Sequence, residues 1–212
     1  MKRGRYKLKQ RALHQQETRR RITEAAVELH GSVGPARTSI SAIAERAGVQ
    51  RSTVYSNFPD ERALFAACSG HFAAANPLPD PALWTSIPHP EERLRVALAE
   101  VYAYHRRTEP MMANVIRDAP VKPVLREVAE PRLRHWEKAR DTLADGWGAR
   151  GKRREVLLCA LGHALDFQTW RSLVQQQGLD DEQAIELMVG MVCCAASDAG
   201  SGWRPYGRPP TP

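Results

Sequence analysis

Apolar residues recur at intervals of three and four residues through most of this chain, and that spacing limits its fold more than any other feature of the sequence. Ile22, Ala25, Ala26 and Leu29 show the pattern near the N-terminus. Such spacing puts apolar side chains on one face of an α-helix, whereas a half-buried β-strand needs strict alternation. No convincing alternating run occurs. We therefore predict an all-α fold of about nine helices.

The composition is that of a globular chain. Of 212 residues, 42% are hydrophobic and 26% are charged, which is usual for soluble domains. No run approaches the ~18 apolar residues of a transmembrane helix, and no apolar stretch follows the basic N-terminus as a secretory signal would. The four cysteines form neither a redox motif nor a zinc motif. These features predict a cytoplasmic protein with no membrane partner and no cofactor.

The net charge of +7 lies entirely in the first third of the chain. Residues 1–76 contain 13 Lys/Arg and 6 Asp/Glu, whereas residues 77–212 contain 18 of each. Within residues 1–21 there are nine basic residues and one acid, Glu17. This asymmetry predicts a polyanionic partner for the N-terminal part, although a solvated basic tail would have the same charge. We expect residues 1–17 to form a flexible basic arm.

Residues 18–75 are predicted to form a helix-turn-helix domain. Ser39 is a suitable N-cap for one helix, and Gly48 stands where a left-handed C-cap would end it. A short helix follows from Arg51 to about Asn57, and Asp60 caps the next. Helix, glycine turn and helix make a helix-turn-helix, although an ordinary helical hairpin with a polar outer face shares this pattern.

The outer face of the second helix consists of side chains that form hydrogen bonds. They are Gln50, Arg51, Ser52, Thr53, Tyr55, Ser56 and Asn57. An α-helix fits the major groove of DNA, where each base pair presents a distinct set of donors and acceptors. The first helix of such a pair braces the second against the DNA backbone. This face therefore predicts a DNA-binding surface.

Proline marks the predicted end of this domain. Five prolines fall within residues 76–90, which we expect to be a non-helical connection. A second helical domain is predicted over 91–198, interrupted at Pro110 and containing long helices at 153–177 and 180–197. The Gly/Pro-rich tail 199–212 is expected to be disordered.

Residues 18–72 resemble the TetR family of bacterial transcriptional regulators. The resemblance is carried by Ile43-Ala44, Ala47-Gly48-Val49, Thr53-Val54-Tyr55 and the spacing from Phe58 to Leu64. It implies a three-helix DNA-binding head and a helical body that binds a small-molecule effector. It also implies a homodimer formed through 153–177 and 180–197. Members of the family mostly repress transcription, and a ligand releases them from DNA.

The resemblance also implies particular DNA contacts. Ser39 and Ser41 match positions that touch phosphate or base, and Tyr55 matches a tyrosine that bonds phosphate. Arg51, Ser52 and Thr53 match the groove-facing start of the recognition helix. Asn57 stands where His or Tyr commonly bonds phosphate.

Three residues depart from the family pattern. Gln50 replaces the usual Ser or Thr at the cap of the recognition helix, so that cap is expected to be weaker. Glu61 stands where Lys commonly meets phosphate, and Arg62 is the candidate to replace it. His30 stands where Phe usually packs, and we expect it to be a partly buried histidine against the fourth helix.

Two basic elements allow alternative roles on DNA. Arg51 could bond guanine O6 and N7 together, which is worth about 1–3 kcal/mol of discrimination, or it could grip a phosphate and read no base. Arg3 and Arg5 resemble the basic arms that enter an adjacent minor groove in other helix-turn-helix proteins. They could equally belong to a disordered tail.

The body offers candidate effector contacts among its polar and aromatic residues. They are Tyr102, His105, Met112, Trp136, His163, Phe167 and Trp170. Each could instead be ordinary core packing. Cys159 and His163 have a metal-binding spacing, but no second pair is evident, so no metal site is predicted. The two long helices could complete a monomer core, but a palindromic operator favours a two-fold dimer.

The sequence points to regulation rather than catalysis. No Gly-rich phosphate loop, Gly-x-Ser-x-Gly elbow or His-Glu-x-x-His sequence occurs, so no catalytic residue is predicted. We expect a nucleoid-associated repressor that binds double-stranded DNA and responds to a small molecule. Two alternatives remain: a non-specific architectural DNA-binding protein, and a small-molecule-binding protein with a vestigial DNA-binding head.

Overall fold

The computed structural model describes residues 2–197, with side chains from residue 10 onward. This part contains ten α-helices and no strand, so the predicted all-α fold is confirmed. The helices are α1 Lys2–Ser32, α2 Ile40–Ala47, α3 Arg51–Asn57, α4 Glu61–Ala75, α5 Pro81–Trp84, α6 Pro90–Asp118, α7 Val124–Leu143, α8 Lys152–Leu165, α9 Phe167–Arg171 and α10 Asp181–Ala196. No helix among the described residues is long and apolar enough to cross a membrane.

The chain forms two compact units, and their boundary differs from the predicted one. The first combines residues up to Leu78 with Arg107–Arg132, and the second combines Pro79–Arg106 with the residues from Leu133 onward. The sequence analysis placed all of 91–198 in one domain. Residues 107–132 belong instead with the N-terminal helices, because polar side chains of the last turns of α6 bond to the end of α1.

The first unit has a core of small and branched apolar residues. Ile22 and Ala26 of α1 are fully buried against Ile43 of α2. Val54 of α3 and Phe58, which follows it, are buried in the same core, as are Leu64 and Cys68 of α4. Alanines on α1 and α2 let the backbones approach closely, so the four helices can share one core.

The beginning of α1 contradicts the predicted flexible arm. The helix starts at Lys2 rather than near Thr18, so residues 2–17 are helical. Lys, Arg, Gln, Leu and Ala are all good helix formers, and Gly4 is the only helix-breaking residue in this stretch. A high density of basic residues therefore did not imply an irregular backbone.

The prolines interrupt fewer helices than the sequence analysis expected. Pro81 and Pro90 begin α5 and α6, where a missing N–H removes no hydrogen bond. Pro110 lies inside α6 and Pro131 inside α7, and both helices continue through them. An interior proline costs roughly 3 kcal/mol, which packing of the long helices evidently outweighs.

The helix predicted over 153–177 is divided at Asp166. α8 ends at Leu165, and the Asp166 carboxylate accepts hydrogen bonds from the N–H groups of Gln168 at 2.7 Å and Thr169 at 3.0 Å. This cap starts α9, which continues into a π-helical turn over Ser172–Gln176. The last helix agrees with its prediction, since Asp180 forms a capping box with Gln183 at the start of α10. The predicted disordered tail 199–212 lies outside the described residues.

The end of α6 is bonded to the end of α1 and to the loop that follows it. Asn114 Nδ2 donates to the carbonyls of His30 at 3.1 Å and Gly31 at 2.8 Å. The Asp118 carboxylate accepts from the Ala36 N–H at 2.9 Å. Gly34 has a φ of 96°, and a Cβ there would collide with Asp118. The glycine is therefore required by both its backbone conformation and the lack of space.

His30 is buried against α4, in agreement with its predicted role. Its side chain is 4% exposed, and its ring stacks on Phe65 with a centroid separation of 4.9 Å. Burial lowers the pKa of His30 from 6.5 to about 4. The folded protein therefore holds this imidazole neutral at pH values where the unfolded chain protonates it.

We expect His30→Phe to remove part of the acid sensitivity of the fold. Because the folded pKa lies below the unfolded pKa, His30 destabilises the fold as pH falls from about 6.5 toward 4. The free energy of unfolding, measured by urea denaturation, should shift in favour of the Phe variant by about 2 kcal/mol between pH 7 and pH 5. A variant of the exposed His71 serves as the control, and a pH-independent difference between wild type and His30→Phe would contradict the assignment.

Candidate nucleic-acid interface

The turn between α2 and α3 has the predicted caps. Ser39 Oγ accepts from the Ala42 N–H at 3.1 Å at the start of α2. Gly48 ends the helix in the left-handed conformation, with φ 63° and ψ 43°. Gln50 precedes α3 without a side-chain capping bond, as its departure from the family pattern predicted. The direction of α3 is therefore set by Gly48 rather than by a cap on α3 itself.

Two arginines of α1 hold this turn and the end of α3, and sequence analysis did not identify them. Arg21 Nη2 donates to the carbonyl of Ala47 and, at 3.3 Å, to that of Gly48. Arg19 donates to the Asn57 carbonyl, and its guanidinium lies 4.0 Å from the centre of the Phe58 ring. These two arginines are among the basic residues that give the N-terminal part its positive charge, but their hydrogen bonds position α3.

One face of α3 is buried and the other is exposed. Val54 is 1% exposed and Phe58 is 2% exposed, and both lie in the core of the first unit. The opposite face carries the predicted contacts. Arg51, Ser52, Tyr55 and Ser56 are exposed, Thr53 and Asn57 are half-buried, and Gln50, Ser39 and Ser41 beside the helix are exposed. The structure thus presents most of the predicted polar residues to solvent on a braced helix, whereas Thr53 and Asn57 are only partly accessible.

Arg51 and Asn57 differ in their freedom to bind a ligand. Among the described residues, Arg51 has no hydrogen-bond or ion-pair partner, so its guanidinium is available. Asn57 Nδ2 donates to the Thr53 carbonyl at 2.8 Å, so part of its amide is used within α3. Asn57 is therefore a less available phosphate contact than the sequence analysis expected.

The predicted replacement for the phosphate-binding lysine is partly engaged. Arg62 Nε lies 3.2 Å from Glu127 Oε2, and the Arg62 side chain is 72% exposed. Glu61 pairs with Lys122 at 2.5 Å. Exposed pairs of this kind contribute little free energy, so Arg62 remains accessible to a phosphate. Arg3 and Arg5 lie in the first turns of α1, and their side chains are outside the described set.

Five of the seven candidate effector residues meet around His105 in the second unit. The ring centroids of Trp136, Phe167 and Trp170 lie 5.8, 5.5 and 5.9 Å from that of His105, and the Tyr102 centroid lies 6.3 Å away. Tyr104, which the sequence analysis missed, lies 5.9 Å away. Met112 belongs to the first unit. His163 is exposed on α8, where its Nδ1 lies 3.0 Å from Thr169 Oγ1.

His105 has an unpaired acceptor at the centre of this aromatic cluster. Its Nε2–H donates to the Leu165 carbonyl at 3.0 Å, which leaves Nδ1 as the lone-pair nitrogen. That atom is buried and has no partner within the described part of the chain. Burial lowers the pKa of His105, so the ring stays neutral. A buried acceptor without a partner is costly, and a ligand that donates a hydrogen bond would satisfy it.

Helices α8 and α10 pack together and expose an apolar face. Val156 of α8 is 55% exposed, and Leu187 and Met191 of α10 are 45% and 48% exposed. Cys159 and Cys194 are also exposed on these helices. Within the described residues, no three His, Cys, Asp or Glu side chains converge on a metal position.

Comparisons with known proteins identify the N-terminal helices. Residues 22–68 match the family described as bacterial regulatory proteins, tetR family. No curated protein matches the sequence.

Solved structures resemble most of the chain. A linker-substituted mutant of HlyIIR has a TM-score of 0.60 and 16% identity, covering 83% of this chain and 95% of that one. A transcriptional regulator from Rhodococcus sp. Rha1 has a TM-score of 0.55 and 20% identity, covering 82% and 95%. A TetR transcription regulator from Haloarcula marismortui has a TM-score of 0.53 and 16% identity, covering 85% and 97%. At these identities the likeness establishes the fold.

Proposed function

We propose that this chain, whose residues 22–68 match the tetR family of bacterial regulatory proteins, is a homodimeric repressor that a small molecule releases from a palindromic operator. Its DNA-binding role follows from the family. Repression, ligand release and an association with the nucleoid are the proposed refinements. The observation that carries the proposal is the braced polar face of α3, on which Arg51 has no partner among the described side chains.

We assign the recognition of the DNA base sequence to side chains of α3. The side chains of Arg51, Ser52 and Tyr55 are exposed while Val54 is buried, so a major groove can receive them without disturbing the core. Arg51 contacts base edges, because a guanidinium bonds guanine O6 and N7 together. Ser39, Ser41 and Tyr55 contact phosphates and fix the register of the helix on the duplex.

The effector is assigned to the cluster around His105. The unpaired Nδ1 accepts a hydrogen bond, and the surrounding rings favour a flat apolar ligand. Carboxylates beside the cluster are already engaged, since Asp181 pairs with Arg106 at 2.7 Å and Asp166 caps α9. A charged ligand would lose hydration without gaining an unpaired partner, so the effector is a neutral hydrogen-bond donor.

Release works by shifting a conformational equilibrium. A two-fold dimer binds when its recognition helices match successive major grooves, about 34 Å apart. Suppose that the ligand converts a population that is about 99% competent to bind DNA into one that is about 99% incompetent. It must then bind the mismatched state more tightly than the matched state by about 5.5 kcal/mol.

Dimerisation is assigned to the exposed face of α8 and α10. An isologous interface uses the same patch on both copies. Leu187 and Met191 lie one turn apart on α10 and remain exposed in the single chain. Burial of this apolar face against a second copy would remove it from water.

Binding to DNA tests the central proposal. The wild-type protein should prefer a duplex from the region upstream of its own gene over a shuffled duplex at physiological salt. Arg51→Ala should relax the preference at one operator position by about 1–3 kcal/mol, measured by fluorescence anisotropy on single-substitution duplexes. An equal loss on every duplex would make Arg51 a phosphate contact. Equal, steeply salt-dependent binding of the wild type to both duplexes and to duplexes selected from a random pool would favour an architectural protein.

Phenol and anisole test the effector site as a matched pair of probes. Both are neutral aromatic rings, but only phenol donates a hydrogen bond. Phenol should weaken binding to the preferred duplex about five- to tenfold more than anisole does, which is the usual worth of one hydrogen bond. His105→Phe should remove that difference. If both probes act equally on the wild type, Nδ1 is not the contact.

Sedimentation tests the dimer. The wild type should sediment as a dimer at micromolar concentration, and Leu187→Glu should shift it to monomer because a charge would be buried at the interface. Leu83→Glu is the matched control, since Leu83 is 66% exposed on α5, outside the proposed interface. A wild-type monomer would refute the interface.

A further inference from the structure

The N-terminal part of α1 and the recognition helix α3 border an open groove of about 520 Å³. Both walls belong to the first unit. The lining residues are Gln10, Arg11, His14, Gln15 and Thr18 of α1 and Thr53, Ser56 and Asn57 of α3. The sequence analysis named none of these five lining residues of α1 as a DNA contact.

The groove is suited to an anion. All its lining side chains are polar, Arg11 supplies a positive charge, and no carboxylate is among them. The nearest acid in the sequence, Glu17, is engaged by Arg20 at 2.6 Å. Arg11 lies roughly 180° around the helix from Arg20, at 3.6 residues per turn. Arg20 therefore lies on the opposite side of α1 from Arg11, whereas Glu17 lies about 120° from Arg11 around the helix.

The two walls are held together, and the groove adjoins the reading face. Arg19 bonds the Asn57 carbonyl and lies over the Phe58 ring, which anchors α1 beside the end of α3. Thr18 and Ser56 donate their hydroxyl hydrogens to backbone carbonyls at 2.9 Å. Their hydroxyls are therefore occupied as donors, and Arg11, His14 and Gln15 are left to supply donors to a ligand.

The helical start of α1 changes what this basic segment can do on DNA. A helix with side chains is about 10–12 Å wide, whereas the minor groove of B-DNA is about 6 Å wide. The helix from Lys2 onward therefore cannot enter the minor groove, which was one of the two roles that the sequence left open for Arg3 and Arg5. A helix beside the duplex can instead contact the phosphate backbone.

We propose that this groove holds one strand of the sugar-phosphate backbone that borders the major groove entered by α3. Arg11 and His14 contact its phosphates, and Gln15 adds a hydrogen bond. The proposal rests on the proposed DNA-binding function. Because phosphate contacts carry no sequence information directly, the groove contributes affinity and register rather than base preference.

The salt dependence of DNA binding tests this assignment. Each phosphate contact that is lost reduces the slope of log K against log salt by about 0.9. Arg11→Gln should reduce the slope by about that amount on both the upstream and the shuffled duplex, and leave the ratio of their affinities unchanged. Gln15→Glu should weaken both duplexes, because its carboxylate repels phosphate. Arg20→Gln removes the same charge from the opposite face and should leave the slope unchanged.

Failure of this proposal can be distinguished from failure of the proposed function. Circular dichroism and thermal unfolding first establish that the variants are folded. If the wild type prefers the upstream duplex but Arg11→Gln and Arg20→Gln have equal slopes, the groove does not hold the backbone. If the wild type has no preference for any duplex, the specific regulator fails, yet the slopes on either duplex still decide the role of the groove.

Discussion

The burial of Val54 and Phe58 beneath α3 is the constraint on which the candidate DNA surface depends. A seven-residue helix is too short to be stable alone in water, so it needs tertiary contacts. Those two side chains fix which face of α3 is inside, and Arg51, Ser52, Tyr55 and Ser56 are left exposed. Arg19 and Arg21 of α1 add hydrogen bonds at the end of α3 and at the turn before it. The recognition surface is thus a consequence of packing in the first unit.

The same logic explains why the last turns of α6 belong with the N-terminal helices. Asn114 and Asp118 satisfy backbone groups at the end of α1 and in the loop that follows. Helix ends leave carbonyls without partners, and side chains from a distant part of the sequence supply them here. α6 also carries His105 of the proposed effector site. That residue belongs to the second unit, so different parts of α6 are assigned to different units.

Local chemistry was predictable where a residue acts on its immediate neighbours. Ser39, Gly48 and Asp180 cap helices as their identities indicated, because capping depends on a few adjacent backbone groups. Prediction failed where one local signal, such as a proline or a cluster of basic residues, competed with helix propensity, packing or a side-chain cap. Pro110 lies inside a continuous helix, Asp166 divides a segment whose apolar spacing indicated one helix, and the basic N-terminus is helical rather than irregular. In each case, helix propensity, packing or a side-chain cap outweighed the expected signal.

Sequence alone determined the fold class, the position of the helix-turn-helix and the set of polar residues on its outer face, because helical periodicity and caps act over a few residues. Tertiary structure decided which of those residues have free donors. The bond of Asn57 to Thr53, and the lack of a partner for Arg51 within the described part of the chain, depend on how the side chains are oriented. Tertiary structure also decided that His105 is surrounded by rings from α6, α7 and α9, and that α1 and α3 border one groove. These arrangements join residues far apart in the chain, and only the packing of the helices brings them within contact distance.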